Sequence, residues 1–161
     1  MILWKKKQNF NNLLESRLFD ETSFYKQFIK DLSHAKDEVI IESPYLTSTR
    51  VEVLLPSFQF ILGNGRKIHI LTRDPSEHED EYIRHQSANE ILKCIELGIN
   101  MVLLKGNHHR KLAIIDRQIL WEGSLNILSY SNSLEIMRRI EGNESAIEMF
   151  RFLQLNKVIK S

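Results

Sequence analysis

The residues best suited to chemistry lie in one short stretch, His108-His109-Arg110-Lys111-Leu112-Ala113-Ile114-Ile115-Asp116, followed after six residues by Gly123-Ser124-Leu125-Asn126. On an extended strand side chains alternate faces, so His109 and Lys111 point the same way and His108 points the other. The apolar run after Lys111 reads as a buried strand that fixes imidazole and ammonium on a rigid element. Gly123 and Ser124 end the next strand, where a backbone N–H and a hydroxyl can approach an anion closely. Asn126 contributes an amide donor. Histidine, lysine, hydroxyl and amide together make a site for a phosphate oxyanion, with no carboxylate cage for a metal and no cofactor implied.

These groups need a scaffold, and the rest of the chain supplies its pattern. Thr22 or Ser23 can cap a helix whose apolar positions Phe24, Phe28, Ile29, Leu32 and Ala35 share a face. Val39-Ile40-Ile41-Glu42-Ser43, ended by Pro44, is a buried strand. A second helix opens at Ser48 or Thr49 and runs to about Leu62, with Pro56 predicting a kink or a late start. Gly63-Asn64-Gly65 stops it. A second strand over 67–72 leads through the acidic loop 74–81 into a helix over 81–97, with Ile91, Leu92, Ile95 and Leu97 as much of its apolar side. A third strand follows at 99–104. Strands over 112–116 and 119–122 flank a tight Asp-Arg-Gln turn; a strand near 134–140 and a helix over 143–155 finish the chain. The order predicts a single α/β domain, a mixed β-sheet flanked by helices, over residues 21–161, with 1–20 as an N-terminal extension.

The chain has 161 residues, 22 basic against 21 acidic, so no global field draws in a polyanion and any grip on phosphate is local. A single cysteine, Cys94, excludes an internal disulfide scaffold and a clustered-cysteine zinc site. No run of apolar residues is long enough to span a bilayer, and Lys5-Lys6-Lys7 has no apolar stretch behind it to make a secretory signal. A cytoplasmic setting without stable membrane association is the expectation.

Read as a pattern, the chemical stretch is H-x-K-x4-D-x6-G-S-x-N. It resembles the HKD signature of the phospholipase D superfamily, in the version whose second half is G-S-x-N, and the surrounding elements from about Thr22 to Leu155 look like one such domain. The resemblance implies that His109 attacks phosphorus to form a phosphohistidine, while Lys111 and Asn126 stabilise charge on the non-bridging oxygens. Ser124 and Gly123 would be supporting contacts, Asp116 a structural aspartate, and Glu135 the carboxylate that orients the nucleophilic ring. The chemistry needs a second histidine to protonate the leaving alcohol, yet the chain carries one motif. Single-motif members solve this by dimerising, which implies a homodimer with one composite site on its two-fold axis.

A compact, single-motif G-S-x-N chain looks like the nuclease branch of the superfamily. The leading expectation is therefore a metal-independent endonuclease-like phosphodiesterase acting on DNA and, secondarily, on RNA, with a bell-shaped pH–rate profile from paired histidines. One rival is a phospholipid phosphodiesterase, which predicts an exposed apolar rim around the site. Another is a non-catalytic nucleic-acid-binding module. Lys5–Lys7 and Arg138-Arg139 could touch a nucleic-acid backbone, and Tyr130 could stack on a base, whereas Trp121, within a strand, is expected in the core.

Overall fold

The computed structural model describes residues 15–159 and builds one seven-stranded sheet with helices on both faces. The strands are β1 (Glu15–Asp20), β2 (Glu38–Glu42), β3 (Lys67–Arg73), β4 (Asn100–Leu104), β5 (Leu112–Ile115), β6 (Ile119–Gly123) and β7 (Ile136–Glu141). The helices are α1 (Phe24–Ser33), α2 (Ser48–Gly63), α3 (Glu81–Glu96), α4 (Asn143–Phe152) and the short α5 (Leu155–Val158). Across the sheet the order is β1-β7-β6-β5-β2-β3-β4. The β2, β3 and β4 strands are parallel, as strands joined by crossover helices must be, and every other pairing is antiparallel.

Alternation along the central strands feeds two cores. Val39, Ile41, Ala113, Ile115 and Trp121 pack under α1, α2 and α3. Ile40, Leu112, Ile114 and Leu120 pack against Ala146, Phe150 and Leu155 of α4 and α5. A strand covered on both faces has no polar side, which is why β2 and β5 read as unbroken apolar runs. The β5–β6 turn puts Asp116 and Arg117 at φ 52° and 53°, the pair of left-handed conformations that matches the twist of a tight hairpin.

Four expectations change. The extension set at residues 1–20 is a sheet strand from Glu15 onward, because β1 pairs with β7 from Glu15 opposite Glu141 to Asp20 opposite Ile136; Lys5–Lys7 lie outside the described residues. Helix α2 is already formed from Ser48, so Pro56 does not delay its start. On α3 the inward side is Ser87, Glu90, Ile91 and Cys94, while Leu92 and Ile95 are exposed. The last helix stops at Phe152, since Gln154 turns left-handed (φ 51°) before α5 begins.

The groups holding the site's frame are polar and specific. Both carboxylate oxygens of Asp116 accept backbone N–H bonds: Lys36 on Oδ2 at 2.8 Å, Asp37 and Glu38 on Oδ1 at 2.8 and 3.1 Å. The hairpin turn is thereby tied to the entry of β2. Beneath the aromatic cluster of Phe19, Phe24, Phe28 and Trp121, Asp31 takes the indole N–H of Trp121 at 2.9 Å and two bonds from Arg139 at 2.7 and 3.0 Å.

Candidate active site

His109 and Lys111 sit in the extended segment just before β5, and their side chains do share a side: Lys111 Nζ lies 2.7 Å from His109 Nδ1 and 3.5 Å from Nε2. The ammonium also donates to the His109 carbonyl at 2.7 Å. They open onto a groove of about 900 Å³ that is also lined by Ser124, Asn126 and Glu135. Six of the seven motif and resemblance positions, Gly123 included, thus line that groove, while Asp116 stands apart at the hairpin turn.

Ser133 donates to Glu135 Oε1 at 2.6 Å, and the nearby Ser124 and Ser133 hydroxyls hold the carboxyl below its ordinary pKa, with the Lys111 charge adding to the effect. Burial pushes the Lys111 ammonium down, against the pull of Glu135. His109 is also pushed below the ordinary imidazole value of 6.5, first by burial and then by the positive charges of Lys111, Arg73 and His108. Asn126 Oδ1 is buried without a hydrogen-bond partner among the described residues. Within the protomer no hydrogen bond joins Glu135 to His109 among the described residues; the His109 ring instead meets Lys111 and stands nearly perpendicular to Tyr45, centroids 6.2 Å apart.

Gly123 serves differently from the expectation. Its N–H donates to Lys111 O at 3.4 Å and that of Ser124 to Ile136 O at 2.9 Å, so the sheet consumes both donors and neither faces an anion. The glycine is needed because a Cβ there would run into the Ile136 carbonyl and within 2.9 Å of Met137 Cα. Gly123→Ala should therefore force β6 from β7 and cost about 1–3 kcal/mol, read as a lower midpoint in urea unfolding.

Other side chains take roles of their own. Arg139 is committed to Asp31 and Glu141, whereas Arg138 lines the groove and donates to Ser16 Oγ at 2.6 Å. Trp121 is fully buried, and Tyr130 is exposed with Arg50 beside its ring, 5.2 Å from the centroid. Part of the acidic loop clamps the approach to His109: the Glu77 carboxylate accepts from Gly106 N–H at 2.9 Å and Asn107 N–H at 3.3 Å, where both residues have positive φ. Glu42, buried beneath His108 and Arg110, belongs to no motif; a lone carboxylate ending a β-branched run is its one mark in the sequence.

Similarity to known structures covers nearly the whole domain. NucT from Helicobacter pylori superposes with a TM-score of 0.66 at 22% identity, covering 88% of this chain and 94% of that one. Nuc from Salmonella typhimurium, a phospholipase D family member, gives 0.66 at 15% identity over 86% and 91%. The phosphatidylserine synthase of Haemophilus influenzae gives 0.69 at 16% identity, over 92% of this chain but 40% of that one. No curated protein matches the chain. The family model described as "Cardiolipin synthase, PLD-like domain" matches residues 28–154, a span containing every motif residue, and the chain accordingly belongs to the phospholipase D superfamily.

Proposed function

We propose that the chain is a phosphodiesterase that cleaves nucleic acid, DNA foremost, through a covalent phosphohistidine and without a metal ion. The observation that carries this is the convergence of His109, Lys111, Ser124, Asn126 and Glu135 on one groove. In the first step a His109 nitrogen attacks phosphorus, the P–N bond forms, the P–O bond to the leaving alcohol breaks, and a second imidazole gives that oxygen its proton. Water then attacks phosphorus, yields its proton to the second imidazole, and releases His109. Lys111 and the Asn126 amide offset the charge that builds on the non-bridging oxygens.

The second imidazole is proposed to be His109 of another copy, because an isologous contact at the groove places like beside like. The state of His109 in the protomer fits a site that is incomplete alone. Its Nδ1 faces Lys111, so a neutral ring there carries its proton on Nε2. Attack by Nε2 requires the other tautomer, with Lys111 turned to the phosphate and a carboxylate accepting the Nδ1–H hydrogen bond; Glu135, which lines the groove together with Glu122, is the one we assign to this role.

Nucleic acid is favoured by Lys111 and Arg138 along the groove, with Tyr130 as an exposed ring downstream of Asn126. The groove also has an apolar rim of Leu18, Ile136 and Phe152, the feature a lipid enzyme predicts, so cleavage of phospholipid head groups is the second reading. No helix among the described residues is long and apolar enough to cross a membrane. In the proposed dimer the second copy covers this rim.

The test is plasmid nicking in EDTA beside cleavage of anionic phospholipid vesicles. Nicking that survives the chelator supports the proposal; strict magnesium dependence, or hydrolysis of the vesicles alone, overturns it. A pH series adds a signed prediction. The nucleophile must be neutral, and burial together with Lys111, Arg73 and His108 lowers the His109 pKa. The acid limb of kcat/KM should thus fall below pH 6.5, and Lys111→Met should move it upward.

A further inference from the structure

The side chains on either side of His109, His108 and the groove-bordering Arg110, meet at a carboxylate. Glu42, the last residue of β2, has no exposed surface. Its Oε1 accepts a hydrogen bond from Arg110 Nε at 2.6 Å and lies 2.8 Å from His108 Nε2. The Arg110 bond is the directional one, since the His108 N–H is not aimed along a hydrogen bond. Glu42 Oε2 has no partner among the described residues. A buried carboxylate is costly unless paired, so the guanidinium is held in place by the same force that makes the carboxylate tolerable.

From this geometry we infer that Glu42 is a positioning residue, a clamp that grips positions 108 and 110 and thereby aims His109 and Lys111. The inference rests on the proposed phosphodiesterase reading for its kinetic consequence, but the clamp is a property of the chain itself. Bonding Arg110 on one side and abutting His108 on the other restrains the two peptide planes that set the direction of the His109 Cα–Cβ bond. The extended segment has few other restraints: it precedes β5, and its sheet contact at Lys111 O is long, 3.4 Å. Glu42 itself cannot touch substrate, being fully enclosed. Whatever its removal does to catalysis must pass through its neighbours.

Misplacing a reacting group by about 1 Å costs on the order of a hundredfold in rate. Glu42→Gln should therefore lower kcat by about 10- to 100-fold while KM changes less than about twofold. Arg110→Met should give the same split, and Arg110→Lys, which keeps a cation within reach of Glu42, should restore most of kcat. A substrate-binding role for Arg110 would instead raise KM. Glu38→Gln, which breaks the Arg117 pair at the other end of β2, serves as the control and should leave both constants unchanged.

Because Arg110→Met strands the enclosed Glu42 carboxylate and could unfold the chain, Glu42→Gln, which leaves a half-exposed guanidinium to water, carries the test if it does. The second readout needs no substrate: the His109 ring resonance in a carbon–proton NMR spectrum should be single in wild type and broadened or split in Glu42→Gln. A sharp, unshifted ring signal with unchanged kcat overturns the clamp. If wild type cleaves neither plasmid nor vesicles, the functional reading fails and the NMR result alone decides the clamp: broadening supports it and an unchanged signal removes it.

Discussion

His109→Ala should abolish turnover, lowering kcat by about four orders of magnitude or more, because no other group at the groove can take the phosphoryl. The side chain is exposed and buries little, so the variant should unfold at the wild-type denaturant concentration. Its second consequence concerns pairing. When mutant and wild-type chains are mixed in equal amounts and allowed to exchange, half of the wild-type chains enter mixed pairs. Activity per wild-type chain should then fall to about half if one site needs both imidazoles. Retention of full activity per wild-type chain rules out a shared site, and an acid-stable product in place of an acid-labile phosphoenzyme rules out the histidine intermediate.

Asp31→Ala should be the most damaging change outside the groove. Asp31 is 5% exposed and accepts from Arg139 twice, from Trp121 and from Gln27 Nε2 at 3.0 Å. Deleting it leaves the enclosed Arg139 charge and the indole N–H without their acceptor. Breaking a buried pair from one side costs about 3–5 kcal/mol, a large part of the stability of a domain this size. Urea unfolding should show the loss as a lower midpoint with an unchanged slope. Replacing both partners, Asp31→Leu with Arg139→Met, should recover much of it, since two matched apolar groups leave no charge enclosed.

The order of elements was legible because the central strands are covered on both faces and therefore carry unbroken β-branched runs punctuated by glycine and proline. The edge strand β1 was not, since Glu15-Ser16-Arg17-Leu18-Phe19-Asp20 is mostly exposed and only Phe19 packs inward. Nor was the inward side of α3, where Glu90 and Ser87 turn in while Leu92 and Ile95 turn out: local hydrophobicity does not say which stripe a tertiary neighbour will cover. Within the groove, His109 and Lys111 were legible from fixed offsets. Glu42 and Asp31 were not, because a carboxylate looks solvated until the fold brings its cation from 68 or 108 residues away.

The place of β5 in the sheet has a consequence for how the protein acquires activity. The segment bearing the histidine and lysine leads straight into it, yet the strand pairs on one side with β2, so Ile114 faces Ile40 and Leu112 faces Glu42. No local hairpin can assemble the groove; the chain must first close the long excursion through α2, β3, α3 and β4. Refolding from denaturant should accordingly regain helical signal before any catalytic competence, with enzymatic recovery tracking the slowest phase. In a nascent polypeptide the same topology keeps a reactive imidazole idle until almost the whole domain has emerged and condensed.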